Sequence, residues 1–441
     1  KSQNGDIILT GIGKGSAGNN RGIFMQGVVE STGTGNVTLS GFGGNGNDGN
    51  QGISVGEGRV SSLSGNVSLT GIGGGTGTVN EGIYIDSGAT VNSADVGKVT
   101  LTGTGSAGKG TNSGIFVNSG TVKSQDGDIT LIGTGVGTSI SNNGINFAKS
   151  LAVTVQATGK GNISLTGSAN NNSIPINLSS GVIDATLGTV TLTGDEIQLL
   201  GTQVTGQSTI LLQPLTPSLG ITIGGTKIDA DASLNLNQAE LDKLSGFPQI
   251  VIGRTNGTGT IAINSDGVTF NYPVTMQAPT IEVNGNITGL NKASITFDAP
   301  TNNINRNITT QSQNITINGE AIVGNDVLVS TGNSAGGNIL FNKNINGSGN
   351  LTLETDTGNI DIKGAIGNST TPLGAIIAST SGTTNFASTV NAQSLTTNAG
   401  GTTQLNGNVT TIASQNYGDV VTIANNPILT GNNITFNNTV N

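Results

Sequence analysis

The chain has 441 residues, with 72 glycines, no Cys, His or Trp, and only 9% charged side chains. A formal net charge of −9 without any basic run excludes a nucleic-acid footprint, and no apolar run approaches the roughly 20 residues of a membrane helix. Separate globules would need more large apolar residues, and a disordered chain would carry more charge and fewer β-branched residues.

The first element is a strand, Gly5-Asp6-Ile7-Ile8-Leu9-Thr10-Gly11. It returns from Gly35, Gly65, Gly97, Gly127, Gly161 and, more loosely, Gly188, each time after roughly 30 residues. A second strand follows each time, at Ile23-Phe24-Met25, Ile53-Ser54-Val55, Ile83-Tyr84-Ile85, Ile115-Phe116-Val117 and Ile145-Asn146-Phe147. A weaker third strand is marked by Val29, Val60, Val91, Val122, Val153 and Ile183. Three short strands per coil predict an all-β fold, a right-handed parallel β-helix (a three-sided β-solenoid) with one small central excursion. Side chains alternate along a strand, so Ile7 and Leu9, Val37 and Leu39, and Val67 and Leu69 are expected to point inward. The glycines and Asn are expected at corners, where positive φ suits them.

Three segments follow from this pattern: a regular β-helix over 1–206, an irregular segment over 207–279, and longer, looser repeats over 280–441. The irregular segment holds one predicted helix, Asn237 to Gly246, with Asn237 as its cap, Glu240 at the capping-box position and Gly246 ending it. Pro214, Pro217 and Pro248 mark turns around it. In the last segment Phe341, Phe386 and Phe436 recur at wider, unequal intervals, which also accommodate two shorter coils per unit.

The GNVTLTG-type strand, the stretch from Leu234-Asn235-Leu236-Asn237 through Gly253-Arg254-Thr255-Asn256-Gly257, and Gly400-Gly401-Thr402-Thr403 with its sequel Asn416-Tyr417-Gly418-Asp419 resemble repetitive surface proteins of the filamentous-haemagglutinin type, especially the long cyanobacterial members. The resemblance covers nearly the whole chain. It implies a secreted or surface-attached β-helix acting in adhesion, biofilm or an extracellular layer, without catalytic residues. The amino-terminal secretion domain of that family is not recognisable, so the resemblance carries the rod and leaves two-partner export as an inference.

Each candidate site has a plain structural role to set against it. Paired carboxylates would serve glycoside hydrolysis, but Asp6, Asp95, Asp126 and Asp128 fall at strand starts and corners, and Arg21, Arg59, Arg254 and Arg306 are scattered. Gly44-Asn45-Gly46-Asn47-Asp48-Gly49 is calcium-loop-like but occurs once, and reads as a polar corner. Outward Thr38, Ser40, Ser68, Thr70, Thr100 and Thr102 would form hydroxyl ladders, which suit a sheet face as well as an ice-binding array. Phe24, Tyr84 and Phe116 share an outward column that serves either as a contact for sugars or partner chains or as stacking between coils.

The expectation is therefore a non-catalytic structural or adhesive segment of a large secreted bacterial surface protein, located outside the cell. A filament or sheath subunit is the alternative; a polysaccharide-active enzyme and an ice binder come after it. No cofactor, metal, nucleic acid or membrane insertion is expected. The expected partners are further coils of the same kind, stacked end to end on open coil edges from a second copy or from neighbouring repeats of the same chain, and surface glycans or other cell-surface components.

Overall fold

The β-branched residues at alternate positions form strands that pair in parallel, each with its counterpart one coil away. The computed structural model describes residues 1–139, 141–149, 152–170, 172–225, 233–332, 334 and 336–441; the stretch 226–232 of the expected irregular segment lies outside them. No helix among the described residues is long and apolar enough to cross a membrane. The chain forms two compact units, Lys1–Leu219 with Lys227–Gln249, and Gly220–Thr226 with Ile250–Asn441.

Unit 1 is a three-sided parallel β-helix. Its first face stacks Ile7–Ile12, Val37–Phe42, Val67–Ile72, Val99–Thr104, Ile129–Gly135, Ile163–Ala169, Val190–Thr193 and Thr209–Gln213. The expected register is met: Leu39, Leu69, Leu101, Leu131, Leu165 and Leu192 follow one another down one column, each fully buried. Each such side chain contributes about 1.5–3 kcal/mol by leaving water. Leu9 stands in the same register, paired with Leu39, and is 38% exposed. The second face begins with Ile23–Met25 and the third with Val28–Ser31.

Three expectations are corrected here. Val122 stacks on Val155, while Val153 pairs with Gly120. Both valines point inward, so strand parity alone does not separate them. The helix is Gln238–Leu241, four residues long. Asn237 and Glu240 do form the capping box, but Leu244–Ser245 has already returned to the third face beside Val204. Gly246, at φ +82°, therefore follows a strand and does not end the helix. Finally, the glycines that open each repeat have no positive φ. A Cβ on Gly65 would lie 2.3 Å from the carbonyl oxygen of Gly35; close stacking, and not turn conformation, demands glycine there.

Unit 2 uses shorter coils. Its first face stacks Gln249–Gly253, Val274–Gln277, Ile295–Asp298, Ile315–Ile317, Ile339–Phe341, Ile360–Ile362, Thr383–Phe386, Thr402–Leu405 and Val420–Ile423. Ile250 pairs with Val274, Val274 with Ile295 and Ile295 with Ile315, so a coil takes roughly 20 residues. The coils are thus shorter, not longer, than those of unit 1, and the reading of two shorter coils per interval holds between Phe341 and Phe386, which are two coils apart with Ile362 between them. Phe436 belongs to another face, where it pairs with Tyr417 and stacks on it at 5.0 Å. Phe297, Phe341 and Phe386 are buried and alternate with Ile317 and Ile362, so large and small side chains interleave along the axis.

Candidate functional site

In unit 1 a long turn joins the first and second faces, and its backbone must be satisfied inside the coil. One asparagine per coil does this. The side-chain oxygens of Asn50, Asn80, Asn112 and Asn142 accept the backbone N–H of Asn20, Asn50, Asn80 and Asn112 at 2.7 to 3.0 Å. Ser173 continues the series by accepting from Asn142 N–H at 3.1 Å. Sequence reasoning missed this ladder, although its signal was present: each Asn stands two residues before the glycine that opens the second strand. Beside it runs a second series, buried at Gln51 and Glu81. Arg21 Nε donates to Gln51 Oε1 at 2.7 Å, and Gln51 Nε2 donates to Glu81 Oε2 at 3.3 Å. Burial pushes the Glu81 carboxyl up to about 7, with hydrogen bonds and the Arg21 charge opposing it.

The aromatic column is only partly assembled. Tyr84 and Phe116 are register partners with ring centroids 5.6 Å apart, but Ser54 separates Phe24 from Tyr84. Phe24 is 51% exposed and is covered on one side by the Arg21 guanidinium, 4.4 Å from its ring centroid. The Tyr84 hydroxyl donates to Asp86 at 2.8 Å, and burial followed by that carboxylate raises the Tyr84 pKa. The three residues thus form a pair and a separate ring.

The carboxylates weighed for catalysis each tie one coil to its neighbour. Asp6 accepts from Asn36 N–H, Asp126 from Lys160 N–H, and Asp128 from Asn162 N–H and the Lys98 ammonium. Asp95 accepts from the Ser64 hydroxyl. Asp48, in the calcium-like loop, accepts from Thr78 N–H at 2.7 Å. Among the described residues no group of three metal-ligating side chains converges. The hydroxyl ladders are in place: Thr38, Ser68, Thr100, Thr130, Ser164 and Thr191 follow one another, with Ser40, Thr70, Thr102, Ile132, Thr166 and Thr193 beside them.

A second feature, in unit 2, lay outside the sequence reading. The corner after each first-face strand carries Gln277-Ala278-Pro279-Thr280 in one coil and Asp298-Ala299-Pro300-Thr301 in the next. Phe297 pairs with Ile317 and Thr301 with Glu320, so the following corner is one residue shorter and carries only Asn318-Gly319. A Cβ at Gly319 would lie 1.8 Å from the Ala299 carbonyl oxygen, so no side chain fills the gap. The result is a cavity of about 490 Å³ lined by Asp298, Pro300, Asn318, Glu320, Lys343 and Asn344. A second, of about 320 Å³, adjoins it through Asp298 and Pro300 and reaches Gln277, Pro279 and Arg254. The shared signal was the repeated Ala-Pro-Thr corner.

No protein family, curated protein or solved structure matches the chain.

Proposed function

We propose that this chain is a non-catalytic structural and adhesive segment of a large bacterial surface protein of the filamentous-haemagglutinin type, working outside the cell. The observation that carries the reading is the uniform axial stacking in each unit. Every coil presents the same parallel ladder to the next, so the fold extends by adding coils without a new core. The same edges suit stacking on further coils of like cross-section, from the same chain or from a second copy. Carboxylates spent on coil corners, as at Asp6, Asp126 and Asp128, favour scaffold over hydrolase.

The test is immunogold labelling of producing cells together with an attachment assay on a strain lacking this segment. Label on the surface and reduced attachment are expected. An exclusively intracellular pool with unchanged attachment would overturn the reading. End-to-end polymers in the same images would favour the filament or sheath alternative over the adhesin.

A further inference from the structure

We propose that the corner trough of unit 2 binds a neutral, linear oligosaccharide. The two adjoining cavities run from Arg254 to Lys343 across five successive coils. Coils repeat at about 4.8 Å, so the trough spans about 19 Å. That rise is close to the length of one pyranose residue, so a four-unit chain lying along the axis meets a fresh polar side chain at each step.

The chemistry of the walls selects the ligand. One wall is an axial column of Gln277, Asp298 and Asn318; Asn342, the next in the column and outside the trough, donates from Nδ2 to Asn318 Oδ1 at 2.8 Å and fixes that amide. The other wall offers the Glu320 carboxylate, held by Asn346, and Asn344. Carboxylates and carboxamides at short intervals are acceptors and donors for vicinal hydroxyls. The exposed faces of Pro279 and Pro300 supply an apolar surface for the C–H side of a sugar ring. The charged residues lining the trough are Arg254, Lys343, Asp298 and Glu320, two of each sign. A polyanion such as a sulfated glycan or nucleic acid would meet two carboxylates, and a bare divalent cation would meet the Lys343 ammonium, so an uncharged polyol is favoured. The floor forms without a ligand, because Gly319 and the Ala-Pro corners set its shape.

This site deepens the adhesive part of the proposed function, but its test is independent of the cell. The full chain is titrated by calorimetry with glucose tetrasaccharides of β-1,3, β-1,4 and α-1,4 linkage, the matching disaccharides, and a sulfated tetrasaccharide. At least one neutral tetrasaccharide is expected to bind, more tightly than its disaccharide. Glu320→Ala and Asp298→Ala should each weaken it roughly tenfold, the scale of one lost hydrogen bond to a charged group. Arg254→Ala should weaken the tetrasaccharide while sparing a disaccharide seated at Glu320. Glu354→Ala, outside the trough, should change nothing, and circular dichroism should confirm that each variant folds. Absence of binding by every neutral probe, binding of the sulfated probe alone, or binding unaffected by both acidic substitutions would overturn the proposal. Binding to the trough with no effect of Glu320→Ala on cell attachment would instead count against the adhesive reading alone.

Discussion

Over its first six steps unit 1 invests roughly 30 residues in each coil, whereas unit 2 invests roughly 20 residues. The axial hydrogen-bond repeat is common to both, so the difference lies in the turns. Unit 1 folds its extra chain into a long turn and must satisfy that backbone internally, hence the series of Asn50, Asn80, Asn112 and Asn142, each buried, whose side chains accept from the coil before. Unit 2 dispenses with the long turn. Its corner asparagines, such as Asn338 accepting from Asn359 N–H, sit in solvent, and phenylalanines fill its core. Long turns thus bring buried polar ladders; short corners leave notches whose side chains face outward.

The strongest way to break this picture is to charge an axial column. Leu101→Asp places an unpaired carboxylate between Leu69 and Leu131 and should cost several kcal/mol, seen as a large fall in the urea midpoint. Thr102→Asp, on the outer surface of the same strand, should stay within about 0.5 kcal/mol. Equal losses would mean that the strand faces the other way.

A pH titration separates the units next. Burial pushes both Glu81 and Glu240, each in unit 1, up to about 7. A folded pKa above the unfolded value means that the native state holds the proton more firmly. That stabilisation is complete below the unfolded value of 4.5, declines as pH rises, and is lost above about 7. Each group is then worth up to about 3 kcal/mol between pH 4.5 and 8. Unit 1 should therefore melt lower at pH 8 than at pH 5, and Glu81→Gln should remove part of that slope. A pH-independent melt of unit 1 would contradict the buried geometry of both carboxyls.

Removing a rung tests the ladder itself. Asn80→Ala leaves the buried Asn50 N–H without its acceptor and should cost about 1–3 kcal/mol. Asn338→Ala, in an exposed corner of unit 2, should cost less, because water replaces the lost acceptor. Hydrogen exchange at the Asn50 and Asn359 amides reads the two directly. Phe116→Ala should lose the Tyr84 ring contact, about 1 kcal/mol beyond its buried area.

The sequence was most legible where each coil repeats one strand with one parity. The spacing of the repeat glycines yielded the first-face register of unit 1 residue for residue, because Leu39, Leu69 and Leu101 occur at equivalent positions. It was least legible where the same residue type serves different ends. Val153 and Val155 share a face, and Phe436 lies in an Ile-Thr-Phe motif yet sits on another side from Phe386. The motif at Gly400–Thr403 with Asp419 was read only as a likeness; the buried Asp419 carboxylate in fact clasps Gly401 N–H at 2.8 Å and the Thr403 hydroxyl at 2.9 Å. The trough was hidden because it arises from one residue missing at a corner, a matter of register that composition does not display.

The central claim, that both units climb at one rise per coil whatever their coil length, is open to a direct distance measurement. The chain has no cysteine, so spin labels can be placed in pairs at will. Thr38 and Thr191 in unit 1 lie five pairing steps apart. Thr275 and Asn385 in unit 2 also lie five steps apart, joined by a much shorter length of chain. Pulsed electron paramagnetic resonance on Thr38→Cys with Thr191→Cys, and on Thr275→Cys with Asn385→Cys, should give the same narrow distance, about 24 Å. Distances that differ in proportion to the intervening chain length, or a broad distribution for either pair, would contradict the account.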